Sequence, residues 1–300
     1  MTKRRKAKRR PEKGPPPKGR HAGAGPSEPR GRLRQRLATA ALVAAVVCLV
    51  GVSVFFKLSG SGQPSEEPSE ELTAVIVDEL SLTAPNSTFV QEATDILEQA
   101  GYTVDYFGGG EATVEFYREL PKRGHDFVIF RTHAARLRDE QKAMTDDAGL
   151  FTSDLYDKTR YVEEQRADRL RPSYYLEDPE GSAYFGITPK FVESSMKGTF
   201  DDAMVIIMGC DGLRSDRLAE AFVGRGAQAV VSWDGLVSST HTDAATEYLL
   251  RRLVEDRLPV GAAVAQTMAE IGPDPVERSK LLFYPRESLA GGPREAYLAR

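Results

Sequence analysis

From residue 72 onward the chain alternates short, unbroken apolar runs with stretches whose apolar residues recur at helical spacing. Thr73–Val77 (TAVIV) predicts a first strand. Phe89, Val90, Ala93, Ile96 and Leu97 mark one face of a helix over 89–100, which Gly101 ends in the manner of a C-terminal cap. A strand over 102–107 follows, then a helix through Val114, Tyr117 and Leu120 to Pro121. Asp126–Thr132 (DFVIFRT) and Ala203–Met208 (AMVIIM) are apolar runs of the kind that suits strands buried on both faces of a parallel sheet. The latter leads to a helical pattern that begins near Ser215 and includes Leu218, Ala221, Phe222 and Val223. Gln228–Trp233 (QAVVSW) is a further strand, Thr242–Asp256 and Val260–Ile271 are helices, and Lys280–Tyr284 (KLLFY) is a last strand. Repeated β-α alternation predicts an α/β fold, a three-layer α/β/α sandwich around a mainly parallel sheet.

Between His133 and the AMVIIM strand the pattern is less regular. Residues 136–171 are charged and predict helix in parts, anchored by Tyr156 and Tyr161. Ala183–Ile187 (AYFGI) reads as an edge strand and Pro189–Met196 as a short helix. An insert of this length beside a groove serves as a lid or substrate wall, or else packs on the sheet edge as an ornament.

Charge divides the chain in a way that its net value of −4 conceals. Met1–Arg36 carries 14 Lys/Arg against 2 Asp/Glu, and the remainder 26 against 42. The basic segment is rich in Pro and Gly and has no apolar period, so residues 1–36 read as a disordered tail. Ala38–Phe56 then runs for 19 residues without a charge, flanked by Arg36 and Lys57. At ~1.5 Å per residue it matches the hydrocarbon thickness of a bilayer. Residues 37–58 are therefore expected to be a single transmembrane helix, with the basic tail cytoplasmic and the remainder outside. The span is longer than the apolar core of a signal peptide, and an uncleaved anchor is the preferred reading, although Ser59-Gly60-Ser61 offers small residues for cleavage. On this reading the tail is topogenic and binds no nucleic acid. Residues 59–71 form a flexible acidic linker, 72–287 the α/β domain and 288–300 a C-terminal tail.

Two strand ends carry the candidate chemistry. AMVIIM stops at Gly209-Cys210-Asp211-Gly212, and DFVIFRT stops at His133-Ala134. Ligands of open α/β sheets bind outside the carboxyl ends of the strands. A cysteine and a histidine at two such ends meet the requirement for thiol nucleophilic catalysis in space, not in sequence. A cysteine by itself is more often a small buried hydrophobe. Gly108-Gly109-Gly110 lacks the flanking residues of a phosphate-binding loop and reads as a plain turn, which disfavours a nucleotide-binding domain. No His/Cys clustering calls for a zinc site, and no cofactor is expected. Cys210 is the only cysteine beyond the apolar span, so no internal disulfide is expected in the α/β domain. His241 is expected on the surface at a helix start. Nothing specifies an oligomer.

The succession FVIFRTHAA, VIIMGCDG and AEAFVGRGAQAVVSWDGLVSSTHTDAATEYLL resembles the caspase-like clan CD cysteine peptidases, in particular gingipain-like and CHAT domains, over residues 72–285. The resemblance implies a Cys210 nucleophile and a His133 general acid/base. It also implies an oxyanion hole from the backbone N–H groups of Cys210 and Ala134, a position where glycine is usual; a negative φ at Ala134 would preserve the hole. Asp211 departs from the common pattern: an adjacent carboxylate raises a thiol pKa, whereas a following helix N-terminus lowers it. Caspases carry an SWR sequence in their substrate region, and here Ser232-Trp233 is followed by Asp234. Asp78, Glu79, Asp211, Trp233 and Asp234 are accordingly expected to line an acidic pocket for Arg or Lys before the scissile bond, or else the acids simply solvate strand ends or cap helices. Two functions stay open: a membrane-anchored cysteine peptidase acting on peptides or proteins, and a catalytically silent module of the same fold that binds them.

Overall fold

The computed structural model describes residues 71–138, 143–175 and 181–286. The basic tail, the apolar span, the linker up to residue 70 and the C-terminal tail lie outside the described residues. No helix among the described residues is long and apolar enough to cross a membrane.

A six-stranded sheet holds the centre. Its strands are β1 (Thr73–Asp78), β2 (Thr103–Gly108), β3 (Phe127–Arg131), β8 (Met204–Ile207), β9 (Ala229–Trp233) and β10 (Leu281–Tyr284), in the spatial order β10-β9-β8-β3-β1-β2. All neighbours are parallel except β10, which runs antiparallel to β9. The mainly parallel α/β expectation therefore holds. Alternate residues of each inner strand enter opposite cores. Ala74, Ile76, Phe127, Ile129, Ile206 and Val231 pack against α1 (Ser87–Gln99), α6 (Ser239–Leu250) and α7 (Val260–Glu270). Val75, Val77, Val128, Phe130, Val205 and Val230 face α2 (Val114–Glu119), α4 (Pro189–Ser194) and α5 (Arg217–Gly224).

Helix ends follow local chemistry. Asn86 caps α1 by accepting the Phe89 amide. At the other end Gly101, with φ of 95°, lets its own N–H reach Glu98 O while Tyr102 N–H reaches Leu97 O. That pair of bonds is the Schellman motif that glycine permits.

The insert corrects two expectations. Among its described residues the stretch 136–171 is mostly strand: β4 (Ala134–Arg138) and β5 (Met144–Leu155) pair antiparallel, and of those residues only α3 (Val162–Arg166) forms an α-helix. With β6 (Leu170–Ser173) and β7 (Tyr184–Ile187) they form a four-stranded antiparallel sheet in the order β4-β5-β7-β6. β7 is thus an interior strand, not an edge. Ala148, Leu150, Leu170, Phe185 and Ile187 drive this sheet into the core on the α2/α5 side. Tyr156 and Tyr161 flank Phe185, with ring centroids 5.1 and 5.2 Å away.

Candidate active site

His133 and Cys210 leave the central sheet side by side. β3 and β8 are register-paired at Phe130 and Ile207, and each candidate residue lies the same number of residues beyond its partner. The Met208 N–H donates to Phe130 O at 2.9 Å, extending the ladder past the strand ends. Gly209 is forced by this proximity: a Cβ there would sit 2.6 Å from Thr132 O and 2.7 Å from the Ala134 Cβ. Only glycine lets the cysteine-bearing turn lie against the histidine-bearing one. Both Cys210 and His133 are half-buried.

The cysteine turn reverses sharply. Asp211 adopts φ of 58°, its N–H donates to Gly235 O at 2.9 Å, and Leu213 N–H donates to Trp233 O. Cys210 Sγ lies 3.5 Å from the Val237 amide nitrogen and 3.6 Å from the Val237 carbonyl oxygen. The next helix, α5, opens only at Arg217. Its N-terminal amides do not follow the cysteine directly, and a helix-end effect fades within one turn. Burial pushes the Asp211 carboxyl upward, opposed by Arg214, whose guanidinium is 3.1 Å away.

The histidine is held from two sides. Its Nε2 lies 2.8 Å from Thr83 Oγ1. Its ring rests against Tyr175 and Phe151 at centroid separations of 4.7 and 5.7 Å. Its backbone N–H donates to Glu79 Oε2 at 2.9 Å. Glu79 is fully buried and also accepts from Thr132 Oγ1 at 3.2 Å and from the Tyr175 hydroxyl at 2.8 Å. Burial pushes its carboxyl above the usual range, the three hydrogen bonds pull it down, and neighbouring Asp78 adds to the rise. Burial and the Glu79 charge push the Tyr175 phenol upward. Ala134 opens β4 and is not among the positive-φ residues.

The acidic pocket does not assemble as expected. Asp78 is 1% exposed and is consumed by Arg131 Nη1 at 2.8 Å and the Tyr106 hydroxyl at 3.1 Å. Trp233 is fully buried, with its Nε1–H donating to Thr242 Oγ1. Neither can line a substrate pocket, because the strand-end positions they occupy point into the helix layer. Asp211 is buried and paired with Arg214. Asp234 stays half-exposed, accepting the Lys280 N–H at 2.7 Å. His241 lies inside α6, half-buried against Trp233, and its Nε2 contacts Gly272 O. Gly108 ends β2 and Gly109–Glu111 make a single 3-10 turn, braced by Gly109 N–H to Ser81 Oγ. Among the described residues no His/Cys/Asp/Glu group has the arrangement of a metal site.

Sequence reasoning missed Glu79 as a partner of the histidine, together with Thr83, Tyr175 and Val237. Glu79 was expected as a groove acid after the first strand, and the structure instead buries it completely beneath the histidine turn. The other three have no signal short of the tertiary structure.

No protein-family model and no curated protein matches the sequence. Among solved structures the chain is similar to the Arg-specific cysteine proteinase gingipain R, at 11% identity and a TM-score of 0.42. The superposition covers 66% of this chain and 41% of that one, so this chain spans less than half of that protein. The class defined by the described residues is an α/β protein with a mainly parallel six-stranded sheet, bearing a cysteine and a histidine on adjacent strand ends.

Proposed function

We propose that this chain is a caspase-like cysteine peptidase, tethered to a membrane through residues 38–56, that hydrolyses peptide bonds with Cys210 and His133. The observation that carries the reading is the matched position of the two residues beyond the Phe130–Ile207 pair, with Gly209 packed against Ala134. In the tautomer whose Nε2–H donates to Thr83, the imidazole lone pair lies on Nδ1, which in this reading takes the thiol proton. The thiolate attacks the scissile carbonyl, and the amides of Cys210 and Ala134 receive the developing oxyanion. His133 returns the proton to the leaving amine, and water then hydrolyses the thioester. A preference for Arg or Lys before the scissile bond would rest on Asp234, because Asp78 and Asp211 are already paired. Loss of such a preference in Asp234→Asn is the corresponding test.

The second reading is a catalytically silent module that binds peptides or partner proteins. The Val237 carbonyl, 3.6 Å from Sγ, supports it by accepting from a protonated thiol, against the Val237 N–H, which donates to the sulfur at 3.5 Å and supports the thiolate of the first reading. A broad peptide library together with a thiol-reactive peptide probe separates the two. The peptidase reading predicts labelling and turnover that Cys210→Ala abolishes. Wild-type protein that neither labels nor cleaves across the library supports the silent module. For the anchor, protease added to intact cells or protoplasts should digest the C-terminal domain and spare residues 1–36; a protected domain overturns that topology.

A further inference from the structure

α6 spends core positions on polar side chains. Thr242 is 1% exposed and Asp243 3% exposed. Apolar residues of similar volume would pack such positions at least as stably, since burying a charge costs solvation that pairing rarely returns in full. Their bonds show what they hold. Thr242 Oγ1 donates to Met208 O at 3.0 Å and accepts the Trp233 Nε1–H at 2.9 Å. It thereby ties β8, just before Cys210, to β9, whose following loop carries Val237 against the sulfur. Asp243 takes the neighbouring loop. Its two oxygens accept Nε and Nη2 of Arg131, both at 2.9 Å, and Asn86 Nδ2 also donates to it. Arg131 lies just before His133 on β3, and its Nη2 donates to Ala84 O, fixing the segment that presents Thr83 to the His133 ring.

We propose that Thr242 and Asp243 are positioning residues: near its start α6 grips the cysteine loop with one side chain and the histidine loop with the next, and so sets their spacing. This inference rests on the proposed Cys210–His133 site. Small displacements of reacting groups cost large factors in rate, so a spacer of this kind acts through geometry without touching substrate.

The test compares Thr242→Val, which keeps the volume and loses the hydroxyl, with Thr242→Ser, which keeps the hydroxyl and loses the methyl. The full chain is alkylated with iodoacetamide across pH, and the Cys210 peptide is read by mass spectrometry so that Cys48 does not contribute. Thermal unfolding is recorded in parallel. Wild type should show a low-pH limb of reactivity that His133→Ala removes. Thr242→Val should lose about tenfold of that limb while Thr242→Ser retains it, whatever the order of their melting temperatures. A purely packing role gives the opposite order, with Val tolerated and Ser impaired, and overturns the inference. So does a Thr242→Val profile equal to wild type. If Thr242→Val fails to fold, Thr242→Ala against Thr242→Ser reads the same contrast. A wild-type profile with no His133-dependent limb overturns the site reading itself, an outcome distinct from failure of the spacer.

Discussion

The buried carboxylate of Glu79 receives the backbone N–H of His133 at 2.9 Å, so the turn that presents the imidazole is pinned to the end of β1. The same carboxylate holds the hydroxyl of Tyr175, whose ring lies against that imidazole.

A pH dependence follows from this burial. The folded-state pKa of Glu79 is raised above its ordinary value of 4.5, chiefly by desolvation. The folded state therefore binds the proton more tightly than the unfolded state. The resulting stability is fully present below pH 4.5 and is lost as pH rises through the folded pKa, because the unfolded chain gives up that proton more readily. Glu79→Gln can keep all three hydrogen bonds if Tyr175 turns its hydroxyl to accept. Urea unfolding as a function of pH should show the falling limb in wild type and its loss in Glu79→Gln; identical slopes would refute the assignment.

Gly209→Ala should destabilise the domain by about 1–3 kcal/mol, because the new methyl meets backbone at Thr132 and Ala134 and not a side chain that can turn away. Thermal unfolding checks the cost. Cys210 alkylation should lose its His133 dependence in the same variant as the two turns separate. A neutral Gly209→Ala would show that the turns are not packed this closely.

Arg131→Met leaves Asp78 and Asp243 buried without their shared cation. Breaking one member out of such a cluster costs about 3–5 kcal/mol. Guanidinium unfolding should place the variant lower by that amount or show no cooperative transition at all. A change below about 1 kcal/mol would mean that the carboxylates find other partners.

Much of the central sheet was legible because parallel strands covered on both faces read as continuous apolar runs. MVII and AVVSW declare themselves without help from distant residues. The helices were legible from apolar spacing, and the end of α1 from Gly101. The β4–β5 pair was not legible. Arg136, Arg138, Asp146 and Asp147 sit on strands whose pairing register shifts between Arg136 and Arg138, and polar residues interrupt the alternation. Strand formation there depends on partners across the sheet, which local propensity does not report. The cysteine and histidine were visible as strand-end residues. Their supports were not, since Glu79 reaches His133 across 54 positions and Asp243 reaches Arg131 across 112. The expectation of an acidic pocket failed for the same reason: a sequence shows that Asp78 is acidic but not that Arg131 has already claimed it.

The pairing of Cys210 with His133 is tested most directly by the pH dependence of Cys210 alkylation in wild type and in His133→Ala. An unassisted thiol reacts in proportion to its thiolate, with a midpoint near pH ~8.5. The account predicts that wild-type Cys210 reacts well below that midpoint and that His133→Ala returns it to the ordinary curve. Superimposable curves for the two proteins would contradict it.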